Sequence, residues 1–134
     1  MLSPPRRVLA AGVFDYFHKG HQFFLQEAKT FGDELIVIIA RDINVLRIKG
    51  FSPSFSECHR LKVVQKSALA DEVLLGDEKN LLCSVEKISP DILILGYDQH
   101  LPSHFSEHFP DILIKRVVAK NPEQWKSSVY RSQS

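Results

Sequence analysis

The chain has 134 residues, of which 44% are hydrophobic and 25% are charged, and this suits one globular domain and excludes a disordered, collagen-like or coiled-coil protein. Its 17 basic and 16 acidic side chains give a net charge of +1, whereas a dedicated nucleic-acid binder carries a large basic excess. An anionic ligand must therefore be bound by a local site, and we expect no nucleic-acid partner.

Strand and helix patterns alternate along the chain. An apolar strand at residues 7–11 ends at Gly12, and apolar residues at helical spacing follow at residues 20–31. Further strands are predicted at 34–40, 72–75, 92–95 and 112–118, and further helices at 42–48, 56–68 and 81–88. Asp42 and Ser56 are the expected caps of the helices that they begin. Residues 1–134 are thus predicted to form a single doubly wound α/β domain with a five-stranded parallel sheet, which binds ligands at the carboxyl ends of its strands.

Cysteine content and hydropathy indicate the compartment. Two cysteines, Cys58 and Cys83, are too few to cross-link a domain of this size, so we expect thiols in a reducing environment. The longest apolar run, residues 35–40, is far shorter than the ~20 residues that cross a bilayer, and the first seven residues lack the apolar stretch of a signal peptide. We therefore expect a cytoplasmic protein with no membrane partner.

The loop after the first predicted strand carries the most specific pattern, Gly-Val-Phe-Asp-Tyr-Phe-His-Lys-Gly-His, from Gly12 to His21. Gly12 lets backbone approach a ligand closely, and Gly20 at the helix start leaves N–H groups and the positive end of the helix dipole for an anion. His18 and His21, three residues apart, are expected to face the same way. Together these features predict a phosphate-binding site.

Other interpretations of the histidines stay open. His18 and His21 could be ordinary loop and surface residues, and a zinc site would need further ligands that no Cys-x-x-Cys or carboxylate cluster supplies. Elsewhere, histidines recur every fourth residue, but a proline between the first two favours a surface helix over a metal site. These residues are His100, His104 and His108. We predict no metal site built by the chain.

The succession of a strand, Gly-x-Phe-Asp, His-x-Gly-His and a helix closely resembles the signature of the cytidylyltransferase-like nucleotidyltransferases, which have a Rossmann-like fold. The similarity continues at residues 32–37, 41–42 and 49–50 and at Arg60. The resemblance places five loop residues in the nucleotide-binding site: Gly12, Val13, Phe14, Asp15 and Gly20.

The same resemblance implies catalytic roles for three residues. His18 and His21 would bind the triphosphate and stabilise charge as the α-phosphorus is attacked. Lys49 matches the family's basic residue that reaches the phosphates of donor and acceptor, although Lys49 and Arg47 could instead form a solvated helix face. Arg60 could be a helix-surface arginine or part of an inter-subunit ion pair.

Two further segments complete the expected site. Gly96, Asp98 and Gln99 follow the fourth predicted strand and could bind a base and a ribose, or form a plain turn. Within the family, this Gly-x-Asp-Gln looks most like the archaeal-type FAD synthases. Near the end of the sequence, a segment resembles the family's phosphate-binding Ile-Ser-Thr-Ser, but the arginine that usually precedes the serines is missing. Its candidate nucleotide-binding residues are Lys126, Ser127 and Ser128.

The sequence therefore predicts an enzyme that transfers a nucleoside monophosphate from a nucleoside triphosphate to a phosphate-bearing acceptor and releases pyrophosphate. ATP and FMN are favoured over CTP and glycerol 3-phosphate, because aromatic residues in predicted loops could pack against a flavin ring. These residues are Phe51, Phe55, Phe105, Phe109 and Trp125. Mg²⁺ is expected with the triphosphate, and the resemblance implies a homodimer. The rival interpretations are a glycerol-3-phosphate cytidylyltransferase and a non-catalytic nucleotide-binding regulator.

Overall fold

Strands and helices alternate through the part of the chain that the structure describes, residues 6–78, 81–96, 101 and 104–117 of a computed structural model. The strands are β1 (Arg7–Gly12), β2 (Glu34–Ile39), β3 (Glu72–Leu75), β4 (Ile92–Leu95) and β5 (Leu113–Arg116). The helices are α1 (Lys19–Lys29), α2 (Asp42–Lys49), α3 (Glu57–Ser67), α4 (Leu81–Ile88) and α5 (Phe105–His108). A 3₁₀ turn, Asp15–Phe17, connects β1 to α1.

The five strands form one parallel sheet in the order β3-β2-β1-β4-β5. In β1, Val8 pairs with Leu35 on one side and with Ile92 on the other. The chain runs outward from β1 to β3 and then returns to place β4 on the other side of β1, so the strand order reverses between β1 and β4. Doubly wound sheets bind ligands at the carboxyl ends of the strands at such a reversal. The predicted Rossmann-like fold class is confirmed.

Helices cover both faces of the sheet, because alternate side chains of each strand point to opposite faces. One core packs Val8 of β1 against Leu25 of α1 and Val64 of α3. The opposite core packs Leu9 against Val85 of α4 and against α5. Burial on both faces explains the continuous apolar sequences of the central strands.

Most predicted elements are confirmed. Of the two predicted helix caps, one is confirmed and the other is wrong. Ser56 caps α3 as expected, since its hydroxyl accepts the N–H of His59 at 3.2 Å. The prediction that Asp42 caps α2 is wrong, because Arg41 precedes the helix and Asp42 is its first residue. The Asp42 carboxylate instead pairs with the guanidinium of Arg60, a charged donor that binds it more strongly than a backbone amide would. The last strand is also shorter than predicted.

Two further observations concern helix hydropathy and the cysteines. Within the described residues, no helix is both long enough and apolar enough to cross a membrane. Cys58 on α3 is exposed and Cys83 on α4 is half-buried, and both are thiols rather than a disulfide. The thiol state agrees with the expectation from sequence.

Candidate active site

The segment between β1 and α1 lies at the carboxyl end of β1, beside the reversal of strand order. Phe14, Tyr16 and Phe17 have positive φ angles of 55°, 65° and 31°. Such angles are uncommon for residues other than glycine and cluster at functional sites. This tightly turned backbone brings His18 directly to the start of α1.

Gly12, the last residue of β1, leaves room for the ring of Phe14. A Cβ atom on Gly12 would lie 3.0 Å from Cε2 of Phe14. Phe14 is buried in the core between the sheet and α1, where it anchors the loop. Glycine at position 12 was expected to let backbone approach a ligand. In the structure it instead leaves the space into which the ring of Phe14 packs.

His18 and His21 form a reciprocal capping box at the N-terminus of α1. Nδ1 of His18 accepts the N–H of Gly20 at 3.1 Å, and Nδ1 of His21 accepts the N–H of His18 at 3.2 Å. The rings stack with centroids 3.8 Å apart and 20° between their planes. The prediction that both face the same way is confirmed, but the Gly20 amide expected to be open to an anion is already bonded to His18.

The hydrogen bonds of the histidine pair (His18 and His21) define its protonation. Because each Nδ1 accepts a backbone N–H, the proton of each neutral ring lies on Nε2. Burial lowers the pKa of His18, and burial together with the neighbouring His18 ring lowers the pKa of His21 to about 3. The rings of Phe14 and Phe17 supply the apolar surroundings of His21. At neutral pH the pair therefore offers two adjacent Nε2–H donors, which suits phosphate oxygens.

The low pKa of His21 makes protein stability depend on pH. The unfolded chain protonates this histidine near 6.5, whereas the folded state does so near pH 3, so the unfolded state binds more protons between these values. The free energy of unfolding should therefore fall as the pH decreases from about 7 to about 5. We expect His21→Asn, whose amide oxygen can replace Nδ1 as acceptor, to flatten this slope in urea unfolding. A slope equal to that of the wild type and of the exposed control His108→Asn would contradict the assignment.

Asp15 connects the loop after β1 to the segment between α2 and α3. Its carboxyl group is 2% exposed and accepts the N–H of Ser54 at 2.7 Å and of Phe55 at 3.1 Å. The hydroxyl of Tyr16 also donates to Oγ of Ser54 at 2.8 Å. The Asp15 carboxylate therefore binds two backbone amides of the α2–α3 segment and ties this segment to the loop that carries the histidine pair.

Arg60 is a structural residue whose importance sequence reasoning missed. Its side chain is 1% exposed, so a helix-surface arginine and an inter-subunit ion pair are both wrong. The guanidinium donates to three carbonyl groups and one carboxylate, those of Val13, Ala40, Phe55 and Asp42. Charged side chains are seldom this buried, and the sequence gives no signal that four acceptors converge on one arginine.

Lys49 lies in the last turn of α2, one residue beyond the predicted end of this helix. The helix ends at Gly50, whose φ of 85° favours glycine. Lys49 and Arg47 are both exposed, and in the described part of the chain no hydrogen bond or ion pair joins Lys49 to the histidine pair. Its connection to the site is through the following segment, which Asp15 holds.

Gly96 follows β4 and lies on the other side of the strand reversal. Its carbonyl accepts Nη1 of Arg116 at 2.7 Å, so a positive side chain from the end of β5 reaches this edge. Arg116 was missed from sequence, although its position at the end of the last strand could have indicated it. Five expected nucleotide-binding residues lie outside the described residues: Asp98, Gln99, Lys126, Ser127 and Ser128.

Four of the five aromatic residues expected to contact a flavin are described, and they divide into two groups. Phe51 and Phe55 are exposed in the α2–α3 segment. Phe105 is wrong as a ligand contact, because it lies on α5 and is 2% exposed in the core. Phe109 packs half-buried against the same core, and Trp125 lies outside the described residues. Phe105 begins the short helix α5 and Phe109 follows its end, and the packing of this helix on the sheet turns both phenylalanines inward.

The other histidines in the described part of the chain lie at the surface. His104 immediately precedes α5 and contacts Glu107, and His108 ends the helix, as the surface-helix interpretation predicts. His100 lies outside the described residues. Among the residues that are described, no group of three or more His, Cys, Asp or Glu could hold a metal ion.

A cavity of about 400 Å³ opens at the carboxyl ends of β2 and β3, away from the histidine pair. Three of its four charged side chains have protein partners. Arg41 donates to the carbonyl of Gly76 at 2.6 Å, and Lys87 pairs with Asp77 at 3.1 Å. The histidine pair at the end of β1, and not this cavity, is therefore the candidate active site.

A doubly wound parallel sheet with paired histidines at its strand reversal defines a nucleotide-binding α/β domain. The sequence profile of the cytidylyltransferase-like family matches residues 9–132, and the chain belongs to this family.

Its relatives include several proteins named FAD synthase. The chain is 43% identical over 115 residues to FAD synthase of Methanosarcina barkeri, covering 86% of this chain and 79% of that protein. It is 49% identical over 127 residues to FAD synthase of Archaeoglobus profundus, covering 91% and 81%. It is also 49% identical over 94 residues to FAD synthase of Methanosarcina acetivorans, but the match spans only 61% of that protein and 70% of this chain.

A solved structure confirms the fold. The lipopolysaccharide core biosynthesis protein from Thermoplasma volcanium GSS1 superposes with a TM-score of 0.81 and 35% sequence identity. The superposition covers 88% of this chain and 100% of that one. The overall α/β fold of this chain has therefore been observed experimentally.

Proposed function

We propose that this chain is an FMN adenylyltransferase, which transfers AMP from ATP to FMN and yields FAD and pyrophosphate. The observation that carries the proposal is the stacked His18–His21 pair, whose Nδ1 atoms each accept a backbone N–H, in a chain 43% identical to a FAD synthase. Two imidazole donors at a helix N-terminus suit the oxygens of a triphosphate.

The proposed reaction is a direct displacement at the α-phosphorus of ATP. A phosphate oxygen of FMN forms the new bond to the α-phosphorus, the bond from that atom to the bridging oxygen breaks, and pyrophosphate leaves with the electron pair. His18 and His21 donate hydrogen bonds to phosphate oxygens as their charge increases. Such a transfer needs alignment and charge stabilisation more than a nucleophilic side chain, so no covalent enzyme intermediate is involved. Mg²⁺ would arrive with the triphosphate, held mostly by phosphate oxygens and water, and would supply positive charge beside the phosphates.

A panel of donors and acceptors tests this function. ATP with FMN should release pyrophosphate and form FAD, and the other combinations of ATP or CTP with FMN or glycerol 3-phosphate should be much slower. Turnover of CTP with glycerol 3-phosphate alone would establish the cytidylyltransferase alternative. Saturable ATP binding without product from any pair would establish a non-catalytic nucleotide-binding protein.

Lys49→Ala should impair the use of both substrates. If Lys49 reaches the phosphates of donor and acceptor, loss of its charged hydrogen bonds should lower kcat/KM for ATP and for FMN by about tenfold. Lys49→Arg should restore activity only in part, because a planar fork replaces a point charge. Arg47→Ala, on the same exposed helix, is the matched control. Steady-state kinetics of Lys49→Ala that equal those of the control would assign Lys49 to a solvated helix face.

We also propose that the enzyme is a cytoplasmic homodimer. Ile43, Leu46 and Ile48 of α2 are exposed apolar side chains that a second subunit would cover. The thiols Cys58 and Cys83 suit a reducing compartment. Light scattering should give twice the mass of one chain, and a single-chain mass over the whole concentration range would contradict the dimer.

A further inference from the structure

Three exposed rings near the histidine pair form an aromatic cluster, Tyr16, Phe55 and His59. Tyr16 and Phe55 meet edge to face, with ring centroids 5.1 Å apart, and Phe55 and His59 stack at 4.8 Å with 22° between their planes. Tyr16 is 44% exposed and Phe55 36% exposed. Neither the core nor the displacement at phosphorus described above accounts for these rings.

The backbone conformation that holds the aromatic cluster in place is energetically unfavourable. Tyr16 has a φ of 65°, a left-handed conformation that costs a residue with a side chain about 1–2 kcal/mol. The hydroxyl of Tyr16 donates a hydrogen bond to Ser54. The Asp15 carboxylate accepts the N–H of Phe55, and the Arg60 guanidinium donates to the carbonyl of Phe55. Backbone strain that the surroundings maintain is typical of ligand-binding positions. The cluster is thus a fixed aromatic surface, although exposed aromatic rings would ordinarily turn inward to bury their apolar area.

The position of the cluster matches the geometry that the acceptor needs. Tyr16 precedes His18 by two residues, so their Cα atoms lie less than about 8 Å apart. The acceptor phosphate must be close to the histidine pair for its oxygen to reach the α-phosphorus. In FMN a ribityl chain separates this phosphate from the isoalloxazine ring, so the ring must bind beside the histidine pair and not on it.

We propose that the aromatic cluster binds the isoalloxazine ring of FMN, and that Tyr16 and Phe55 determine acceptor specificity. This inference rests on the proposed function. Flat rings gain from stacked and edge-to-face contact in addition to the burial of apolar area. A small polyol phosphate such as glycerol 3-phosphate has no flat surface to offer, so the cluster favours a flavin over such acceptors.

Replacement of the tyrosine ring tests this site. Tyr16→Leu should raise the KM for FMN about tenfold or more and weaken the quenching of FMN fluorescence, with the KM for ATP changed by less than about twofold. Tyr16→Phe, which keeps the ring and loses the bond to Ser54, should retain most of the FMN affinity. Leu113→Ala, at an exposed position on β5, is the control for loss of apolar surface away from the site. If Tyr16→Leu does not fold, judged by its Tm, Phe55→Leu gives the same readouts.

The outcomes separate this inference from the proposed function. If the wild type forms FAD and the folded leucine variants keep wild-type KM and quenching for FMN, the cluster assignment is wrong and the function stands. Suppose that the wild type forms no FAD but quenches FMN fluorescence, and that Tyr16→Leu does not quench it. The flavin site then stands and the proposed transfer activity is wrong. If the wild type neither forms FAD nor quenches FMN, both are wrong.

Discussion

His18→Ala is expected to lower kcat for FAD formation by on the order of 10²–10³, as the loss of one preorganised hydrogen-bond donor does. The hydrogen bond from Gly20 to Nδ1 leaves the proton of His18 on Nε2, so the ring donates without first being protonated. Stacking on His21 fixes the direction of that donor. Initial rates at saturating ATP and FMN measure the effect.

The alanine variant also loses a helix cap, which costs about 1 kcal/mol of stability, so the catalytic effect must be separated from capping. His18→Asn keeps a side-chain acceptor for the amide of Gly20 and should recover the Tm while kcat stays low. His108→Ala, which removes an exposed histidine from α5, should keep wild-type kcat. A decrease below about threefold in folded His18→Ala would remove His18 from the mechanism.

Arg60→Met is expected to cause the largest loss of stability, at least about 3 kcal/mol in the free energy of unfolding. The methionine keeps apolar volume but leaves the carbonyls of Val13, Ala40 and Phe55 without their charged donor. Each buried group that loses its partner costs about 1–3 kcal/mol. Asp42 contributes less to this loss, since its side chain is 40% exposed and water can replace the guanidinium.

Urea unfolding monitored by circular dichroism measures the loss in Arg60→Met. Arg60→Lys should recover only part of it, because one ammonium cannot reach acceptors arranged for a planar fork. Lys62→Met, an exposed position on the same helix, controls for the removal of a positive charge from α3. A loss of less than about 1 kcal/mol in Arg60→Met would show that these hydrogen bonds do not hold the loops together.

The fold was largely predictable because its signals are local. Strand β2 is apolar at consecutive positions since both faces of the sheet are covered, and α4 begins and ends where its sequence pattern does. The common direction of His18 and His21 comes from the capping box, which is also a local pattern because its two residues are three positions apart. Each of these features depends on residues within a few positions of one another.

The supports of the candidate site were not predictable because their partners are distant in sequence. Asp15 bonds to amides 39 and 40 residues away, and Arg60 reaches the carbonyl of Val13 across 47 residues. Phe105 was expected at the ligand because its segment resembled a loop, and only the packing of α5 on the sheet reveals its burial. Motif residues could be located from sequence, whereas the residues that hold them required the tertiary structure.

Transfer of label from ATP that carries ³²P at the α-phosphate tests the central claim most directly. The wild-type protein, mixed with MgATP and FMN, should place the label in FAD in proportion to the pyrophosphate released, and protein denatured during turnover should carry none. This result would establish direct transfer of AMP from ATP to FMN without a covalent enzyme intermediate. Label bound covalently to the protein, or ATP turnover that leaves FAD unlabelled, would contradict the account.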